Sequence, residues 1–335
     1  MLKYRVLLLT HQDFKMPEDI SKLEPKEVAD WKTEYEIVKA LENLGHEVEI
    51  LAAVTEMNVV REALTNRKPH IVFNQLEEFL GRNVFAHYLL GYLQLIHQPY
   101  TGCSPTGLLL GDNKPLMKKV LTYHRVPIPR FAIFSRGRTI KPVKGLPFPL
   151  IVKSTVEHSS LGISQASVVT SDDKLKERIE FIHEKLRTDA MVEEYIEGRE
   201  LYVGVLGNLR LETFPIWEID FGNLPEGSSR IATEKIKWDL EYQKKIGIKT
   251  GPAENLPEGV ANRIHGLSKR VYHILGLNGY ARMDFRLTGD GEVYLMEPNP
   301  NPDLGQEEDF AQSAKRAGIA YEKLIQRIIN LGLRY

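Results

Sequence analysis

Four side chains near the C-terminal end of the chain, Arg282, Asp284, Glu297 and Asn299, stand at spacings that suit phosphate and metal chemistry. They lie in two runs of strand-forming residues that flank Thr288-Gly289-Asp290-Gly291. Asp-Gly between such runs predicts a hairpin with a type I′ turn, whose central residues both take positive φ. With Asp290-Gly291 as that loop, Arg282 faces Asn299, Asp284 faces Glu297 and Arg286 faces Leu295. Strand alternation then puts all six on one face. Met283, Phe285, Leu287, Tyr294, Met296 and Pro298 make the other face, which reads as core.

Directly opposed residues have Cβ atoms about 4.5–5.5 Å apart, and like charges there destabilise the pair. Two carboxylates about 5 Å apart repel by roughly 3 kcal/mol at an effective dielectric of about 20. A hard cation such as Mg²⁺, which prefers carboxylate and carbonyl oxygens, would offset that. Arg282 and Arg286 could do so without metal, and an exposed hairpin with a salt-bridged face is the plain alternative. The Asn-Pro-Asn-Pro-Asp run that follows favours a site. Proline donates no ladder hydrogen bond, so the chain must turn away, carrying Asn299, Asn301 and Asp303 round the same end.

A second candidate is the stretch from Pro149 to Ile163, where a strand ends in Lys153 and a polar loop with Ser159, Ser160 and Gly162 follows. Such a loop offers N–H groups and hydroxyls to phosphate, with the lysine as a point charge. It is not a Walker A loop, because the spacing of glycines and Lys-Ser/Thr is absent.

The elements that must carry these residues follow from periodicity. Tyr4–Thr10, Glu47–Ala53, His70–Asn74 and Gln98–Thr101 read as strands, with helices over 27–44, 59–66 and 83–96 between them. That alternation implies a parallel sheet, whose ligands sit beyond the strand C-termini, here Thr10-His11-Gln12 and Asn74–Glu78. Glu77 and Glu78 read as a solvated face. Residues 102–113 are expected to be a loop with a short helical turn, closed by Asp112-Asn113 capping a helix from Lys114 to His124. Ser171 caps a helix to Leu186, and Arg199–Trp217 reads as a hairpin about Gly207-Asn208. Residues 218–256 are the least regular stretch and suit a lid or an ordinary insertion. Pro257–Leu275, Ala311–Ala317 and Tyr321–Leu331 read as helices. Three regions result: 1–112, 113–197 and 198–335.

Composition bounds the class. The chain has 335 residues, 42% hydrophobic and 27% charged, which fits a soluble globular protein of two or three subdomains. A net charge of −1 gives no electrostatic case for nucleic acid. The one cysteine, Cys103, excludes an intramolecular disulfide framework and fits a reducing, cytoplasmic compartment. A buried inert thiol is its ordinary reading. No stretch approaches the roughly 18 apolar residues of a membrane helix, so no membrane partner is expected.

Taken in order, these segments resemble the ATP-grasp superfamily and, within it, the D-alanine–D-alanine ligases, from about residue 98 to the end. The matching pieces are Asp-Asn-Lys114, Ile-Val-Lys153, Glu157-His-Ser-Ser-Leu-Gly162, Val-Glu193-Glu-Tyr-Ile196, Glu200, Arg282-x-Asp284 and Glu297-x-Asn299. The resemblance implies an α/β chain of α+β subdomains, an ATP-grasp fold with an N-terminal parallel-sheet (pre-ATP-grasp) domain. It implies that Lys114 and Lys153 contact the ATP phosphates, that the Glu157–Ser160 loop closes over them, and that Ser159 acts there in catalysis. Glu193, Glu194 and the backbone at Tyr195 and Ile196 would hold adenine, and Glu200 the ribose hydroxyls. Asp284, Glu297 and Asn299 would bind two Mg²⁺ ions, with Mn²⁺ as a substitute. Arg282 would stabilise an oxyanion, and Lys237, with Lys235 as rival, would reach the γ-phosphate.

The activity so implied is an ATP-dependent joining of a small carboxylate to an amine through an acyl phosphate. A small-molecule kinase on the same fold, or a non-catalytic ATP-binding protein, is the alternative. The oligomeric state stays open, with a homodimer among the options. Three departures from the family pattern stand out. An N-terminal Ser-x-Glu element is absent, Ser154 follows the strand lysine in place of proline, and Asp303 replaces a glycine. The first and third point away from joining two D-alanines.

Overall fold

A computed structural model describes residues 2–10, 28, 31–52, 56–80, 82–156 and 162–334. The N-terminal part is a parallel sheet of three strands in the order β2-β1-β3, with β1 at Arg5–Thr10, β2 at Glu47–Ala52 and β3 at Ile71–Asn74. Helices α1 (Lys32–Asn43), α2 (Met57–Arg67) and α3 (Ala86–Leu95) connect and cover it. β1 and β3 are buried along their apolar runs, as expected of strands covered on both faces. The strand expected at residues 98–101 reduces to one parallel bridge, Val72 with Tyr100. The loop expected at 102–113 is mostly helix α4, Pro105–Asp112, started by Ser104, whose side chain accepts from the Gly107 N–H. Pro105 at N1 and the serine cap before it were the missed signal.

Helix α5 (Lys114–Tyr123) is capped by Asn113, whose side chain accepts from Leu116 N–H, as expected. The central sheet runs β4-β7-β5-β6, from Phe131–Phe134, Ala190–Glu194, Leu150–Ser154 and Val168–Val169. With α6 (Asp172–Phe181, capped by Ser171) it closes its own core around Leu150, Val152, Ile179 and Val192.

The C-terminal sheet has the order β11-β10-β8-β12-β13, with β9 beside β8. Its strands are β8 Arg199–Leu206, β9 Glu212–Thr213, β10 Trp217–Asp220, β11 Lys249–Pro252, β12 Tyr280–Leu287 and β13 Val293–Pro300. Helices α9 (Val260–Ile274) and α10 (Asp309–Arg316) pack on it, and α11 (Tyr321–Gly332) packs against α10 and against α1 and β3 of the N-terminal part. One core runs from Leu7, Leu9 and Val72 of the N-terminal sheet to Val203, Met283 and Phe285 of the C-terminal one. The stretch expected to be irregular is ordered: α7 (Glu234–Trp238), α8 (Leu240–Ile246) and β11 close a small core of Trp217, Phe221, Ile236 and Ile246.

The hairpin β12–β13 departs from expectation at its turn. Thr288 N–H donates to Glu292 O, so the loop is the three residues Gly289-Asp290-Gly291, and of these only Gly291 has positive φ, +87°. This is the three-residue hairpin that ends in a left-handed glycine. The register is Arg282↔Asn299 and Asp284↔Glu297, as expected, but Phe285↔Leu295 and Arg286↔Tyr294 toward the turn. A β-bulge at Met296 absorbs the difference. Leu295 therefore joins the core, fully buried, while Met296 turns to the face of Glu297. The segment Val126-Pro127-Ile128-Pro129 covers this edge strand: Leu295 N–H donates to Pro127 O at 2.8 Å.

Candidate active site

A cleft opens between the central and C-terminal sheets. Ile151, Ile163, Tyr195, Ile196, Ile231 and Met296 give it an apolar slot. Lys153, Lys237, Glu200, Asp284, Arg286 and Glu297 give it charge. The cleft thus gathers residues from β5, the end of β7, β8, the 229–238 segment and both hairpin strands. The sequence reading is sharpened at Lys237, which lines the cleft, whereas Lys235 Nζ lies 4.2 Å from the centre of the Tyr242 ring.

On the hairpin, Arg282 grips Asp284 through two hydrogen bonds, Nε to Oδ1 at 2.8 Å and Nη2 to Oδ2 at 3.0 Å. Its guanidinium lies 4.6 Å over the Tyr202 ring. Burial pushes the Asp284 carboxyl upward, and Arg282 works against that shift. Burial also works against charge on Arg282, but the Asp284 carboxylate outweighs it and the net shift is upward. Glu297 meets Lys114 Nζ at 3.2 Å. The opposed carboxylates are thus neutralised in part by Arg282, as one sequence reading allowed. The second cation is Lys114, because Arg286 is engaged elsewhere.

Among the described residues no group of three His, Cys, Asp or Glu side chains could hold a metal. A metal here would rest on Asp284, Glu297 and the Asn299 amide. That all-oxygen set fits Mg²⁺, and the Asn299 side-chain nitrogen, buried without a partner, leaves its amide free to turn its oxygen inward. Asn301 and Asp303 do not join them. Asn301 Oδ1 accepts from Cys103 N–H at 2.7 Å, and Asp303 Oδ1 accepts from Thr33 Oγ1 at 2.7 Å and Gly305 N–H at 2.8 Å. Both tie the hairpin's exit to the N-terminal part. Cys103 is fully buried and its thiol is pushed up to about 12 by burial, which makes it inert.

On the central side, Glu193 is 1% exposed and meets Lys118 Nζ at 3.2 Å and Lys153 Nζ at 4.0 Å. It lies beside Lys153 and outside the cleft lining. Burial lowers the Lys118 pKa and Glu193 opposes that. The Glu194 side chain is also off the cleft, paired with Arg130. Burial raises its carboxyl and Arg130 more than reverses that, for a net downward shift. Tyr195 and Ile196 line the slot as implied. Glu157, Ser159 and Ser160 lie outside the described residues. Beside Lys114, burial pushes the Asp112 carboxyl up to about 7, with Glu77 and Glu297 adding to the rise.

Two residues of this site escaped the sequence reading, and a third has a different partner. Lys118 is one helical turn from Lys114 on the same face, a spacing that could have revealed it. Tyr202 follows Glu200 by two on one strand and donates to it at 2.7 Å. Arg286, read from sequence as a cation that could neutralise the carboxylate pair, instead stands opposite Glu200 across β12–β8 and donates to it at 2.5 Å.

Residues 124–330 match the sequence family described as D-ala D-ala ligase C-terminus. The chain is 31% identical over 305 residues to the uncharacterized protein y4sG of Sinorhizobium fredii (strain NBRC 101917 / NGR234), covering 89% of this chain and 86% of that one. It is 30% identical over 297 residues to a D-alanine–D-alanine ligase of Nitratidesulfovibrio vulgaris (strain DP4), covering 89% and 91%. The D-alanine–D-alanine ligase structure from Bacillus anthracis complexed with ATP superposes with a TM-score of 0.76 at 22% identity, over 99% of this chain and 98% of that one. The chain belongs to the D-alanine–D-alanine ligase family and has the ATP-grasp fold with an N-terminal parallel-sheet domain.

Proposed function

We propose that this chain is an ATP-dependent carboxylate–amine ligase that works through an acyl phosphate. The observation that carries the reading is the cleft itself, which brings an apolar slot, two lysines, the Glu200 carboxylate and the opposed Asp284 and Glu297 carboxylates into one lining. Family membership supports it, and the ATP-bound relative supports ATP as the nucleotide.

The residues divide the work. Tyr195 and Ile196 at the slot receive the flat base, and Glu200 accepts from sugar hydroxyls. Lys153 and Lys237 neutralise the phosphates from the central and C-terminal sides of the cleft, with Lys114 behind Glu297. Asp284, Glu297 and Asn299 are the residues that would hold Mg²⁺, which when bound neutralises phosphate oxygens as charge develops. Arg282, stacked on Tyr202 and fixed by Asp284, presents its remaining N–H groups to the oxygen of the carboxylate under attack. Residues 222–250 cover the cleft and exclude water, which an acyl phosphate requires. The amine is the substrate's own nucleophile.

The hairpin exit, outside the cleft lining, is acidic. Asp303, Glu36, Glu307 and Glu308 cluster about Lys32 where α1 meets the hairpin exit, and burial with Asp303 and Asp309 pushes Glu308 up to about 7. We therefore read the substrate as carrying an ammonium near the reacting carboxylate, or as an amine larger than alanine, and not as two D-alanines. The test is phosphate release with ATP, Mg²⁺ and a panel of amino acids and short peptides. A ligase frees phosphate and ADP only when both co-substrates are present. Phosphate retained on a product would mean a kinase, and vigorous D-alanyl-D-alanine synthesis would remove the acceptor assignment.

A further inference from the structure

Glu200 is held on both carboxylate oxygens, by Tyr202 Oη at 2.7 Å and by Arg286 Nη2 at 2.5 Å. The same guanidinium reaches two other segments. Nη1 donates to the Gly198 carbonyl at 2.9 Å and Nη2 to the Arg230 carbonyl at 2.6 Å. Arg286 is 4% exposed and sits 5.9 Å from the centre of the Phe221 ring. Water cannot replace its partners at that depth, so each acceptor depends on it. The stretch that contains Arg230 also bonds to the central side, where Gln165 and Ser229 exchange two hydrogen bonds and Glu234 accepts from Gly162 N–H, while Leu224 and Ala232 pack against the core of Tyr202 and Trp217. Arg286 is thus a tie from that stretch to the C-terminal sheet, and it is the same group that holds Glu200.

We propose that Arg286 is a positioning residue that aims the Glu200 carboxylate into the cleft and, through the Arg230 carbonyl, couples the order of residues 222–233 to an occupied sugar subsite. The inference rests on the ATP reading above. A carboxylate gripped by a guanidinium stays an acceptor and keeps lone pairs for hydroxyl donors. A sugar hydroxyl that donates to Glu200 fixes the carboxylate further, which fixes the guanidinium, which holds Arg230. Such coupling is reciprocal, so the covering segment strengthens nucleotide binding by the factor that the nucleotide orders the segment. Tyr202 holds Glu200 without touching Arg230, and this separates the two effects.

The experiment uses the full chain with Arg286→Met, Arg286→Lys and Tyr202→Phe. Binding of a non-hydrolysable ATP analogue is measured by calorimetry. Cleavage within residues 222–233 by a broad-specificity protease is timed with and without the analogue. Arg286→Met is expected to weaken the analogue roughly tenfold or more, since it removes a charge-assisted bond. It should also speed cleavage in the free protein and abolish protection by the analogue. Arg286→Lys should recover part of each. Tyr202→Phe should weaken the analogue roughly three- to tenfold and leave cleavage as in the parent chain. Unchanged cleavage or intact protection in Arg286→Met overturns the proposal. So does faster cleavage in Tyr202→Phe, which would mark a general loosening. If Arg286→Met does not fold, Arg286→Lys against Tyr202→Phe makes the same decision. Failure of the parent chain to bind the analogue would sink the ATP reading instead, and free-protein cleavage would still decide whether Arg286 holds the segment.

Discussion

Lys114 and Lys118 stand one turn apart on helix α5, and each meets a glutamate at 3.2 Å. Lys118 and Glu193 are both 1% exposed at the side chain; Lys114 is 8% exposed and Glu297 30%. The contact is the same and the surroundings are not. At the sealed pair the charges have given up water and depend on one another. At the open pair Glu297 keeps access to the cleft, so an entering cation or phosphate can exchange with its partner. One helix thus supplies a strut to the central sheet and a replaceable counter-charge to the hairpin.

Glu193→Gln tests the sealed pair and should have the largest effect. It leaves Lys118 buried without a carboxylate, and the expected loss is about 3–5 kcal/mol of stability, read by denaturant unfolding. A Tm near that of the parent chain would erase the distinction between the two pairs. At the open pair, Glu297→Gln should change stability by less than about 1 kcal/mol. It should cut Mg²⁺-dependent turnover roughly a hundredfold or more, as loss of a metal-facing carboxylate would. Marked unfolding without metal would show that Glu297 is structural after all. Lys153 borders both regions, because its ammonium is 4.0 Å from Glu193 yet lines the cleft. Lys153→Ala should weaken an ATP analogue by about 1.5–3 kcal/mol with little change in fold, measured by calorimetry.

A smaller, pH-dependent effect belongs to the open end. Burial raises the Asp112 carboxyl to about 7, against about 3.9 in an unfolded chain. Between those values the folded form holds a proton that the unfolded form has lost, so stability falls as pH rises from about 4 to about 7. Asp112→Asn should therefore stabilise the chain above pH 7 by about 1–2 kcal/mol, the full shift being screened at this partly exposed side chain, and should be neutral below about pH 4. Unfolding midpoints at acid and neutral pH check the sign. Smallest of all, Arg130→Ala removes the exposed partner of Glu194 and should leave both turnover and Tm unchanged; a large loss of nucleotide binding would return Glu194 to the adenine site.

What the sequence makes legible follows the range of the signal. The opposed pairs Arg282–Asn299 and Asp284–Glu297 come from local alternation, and they are observed. The Asn113 and Ser171 caps are equally local. The bulge is not legible, because Leu295 and Met296 are both apolar and neither marks a change of phase. Nor is the grip on Glu200, which depends on β8 pairing with β12 across many residues of intervening chain. Lys118 reads as a solvated lysine until Glu193 is placed beneath it. Glu193 and Glu194, adjacent in sequence, fall on opposite faces of β7 by strand alternation, and which face is buried is set by packing that the local pattern does not carry.

The bulge at Met296 also divides the hairpin into two segments of different phase, each with its own register. The segment that ends in Gly289-Asp290-Gly291 is exposed at its tip, and the carboxylate pair lies beyond the extra residue. A change of loop length at the tip meets that joint before it meets Asp284 and Glu297. The tip is accordingly the place to graft a reporter peptide or a second domain, and a graft there should leave the carboxylates in step. Deleting Met296 alone removes the extra residue and sets Asp284↔Glu297 directly beside Phe285↔Leu295, so the carboxylates should stay opposed while the strand loses its local bend.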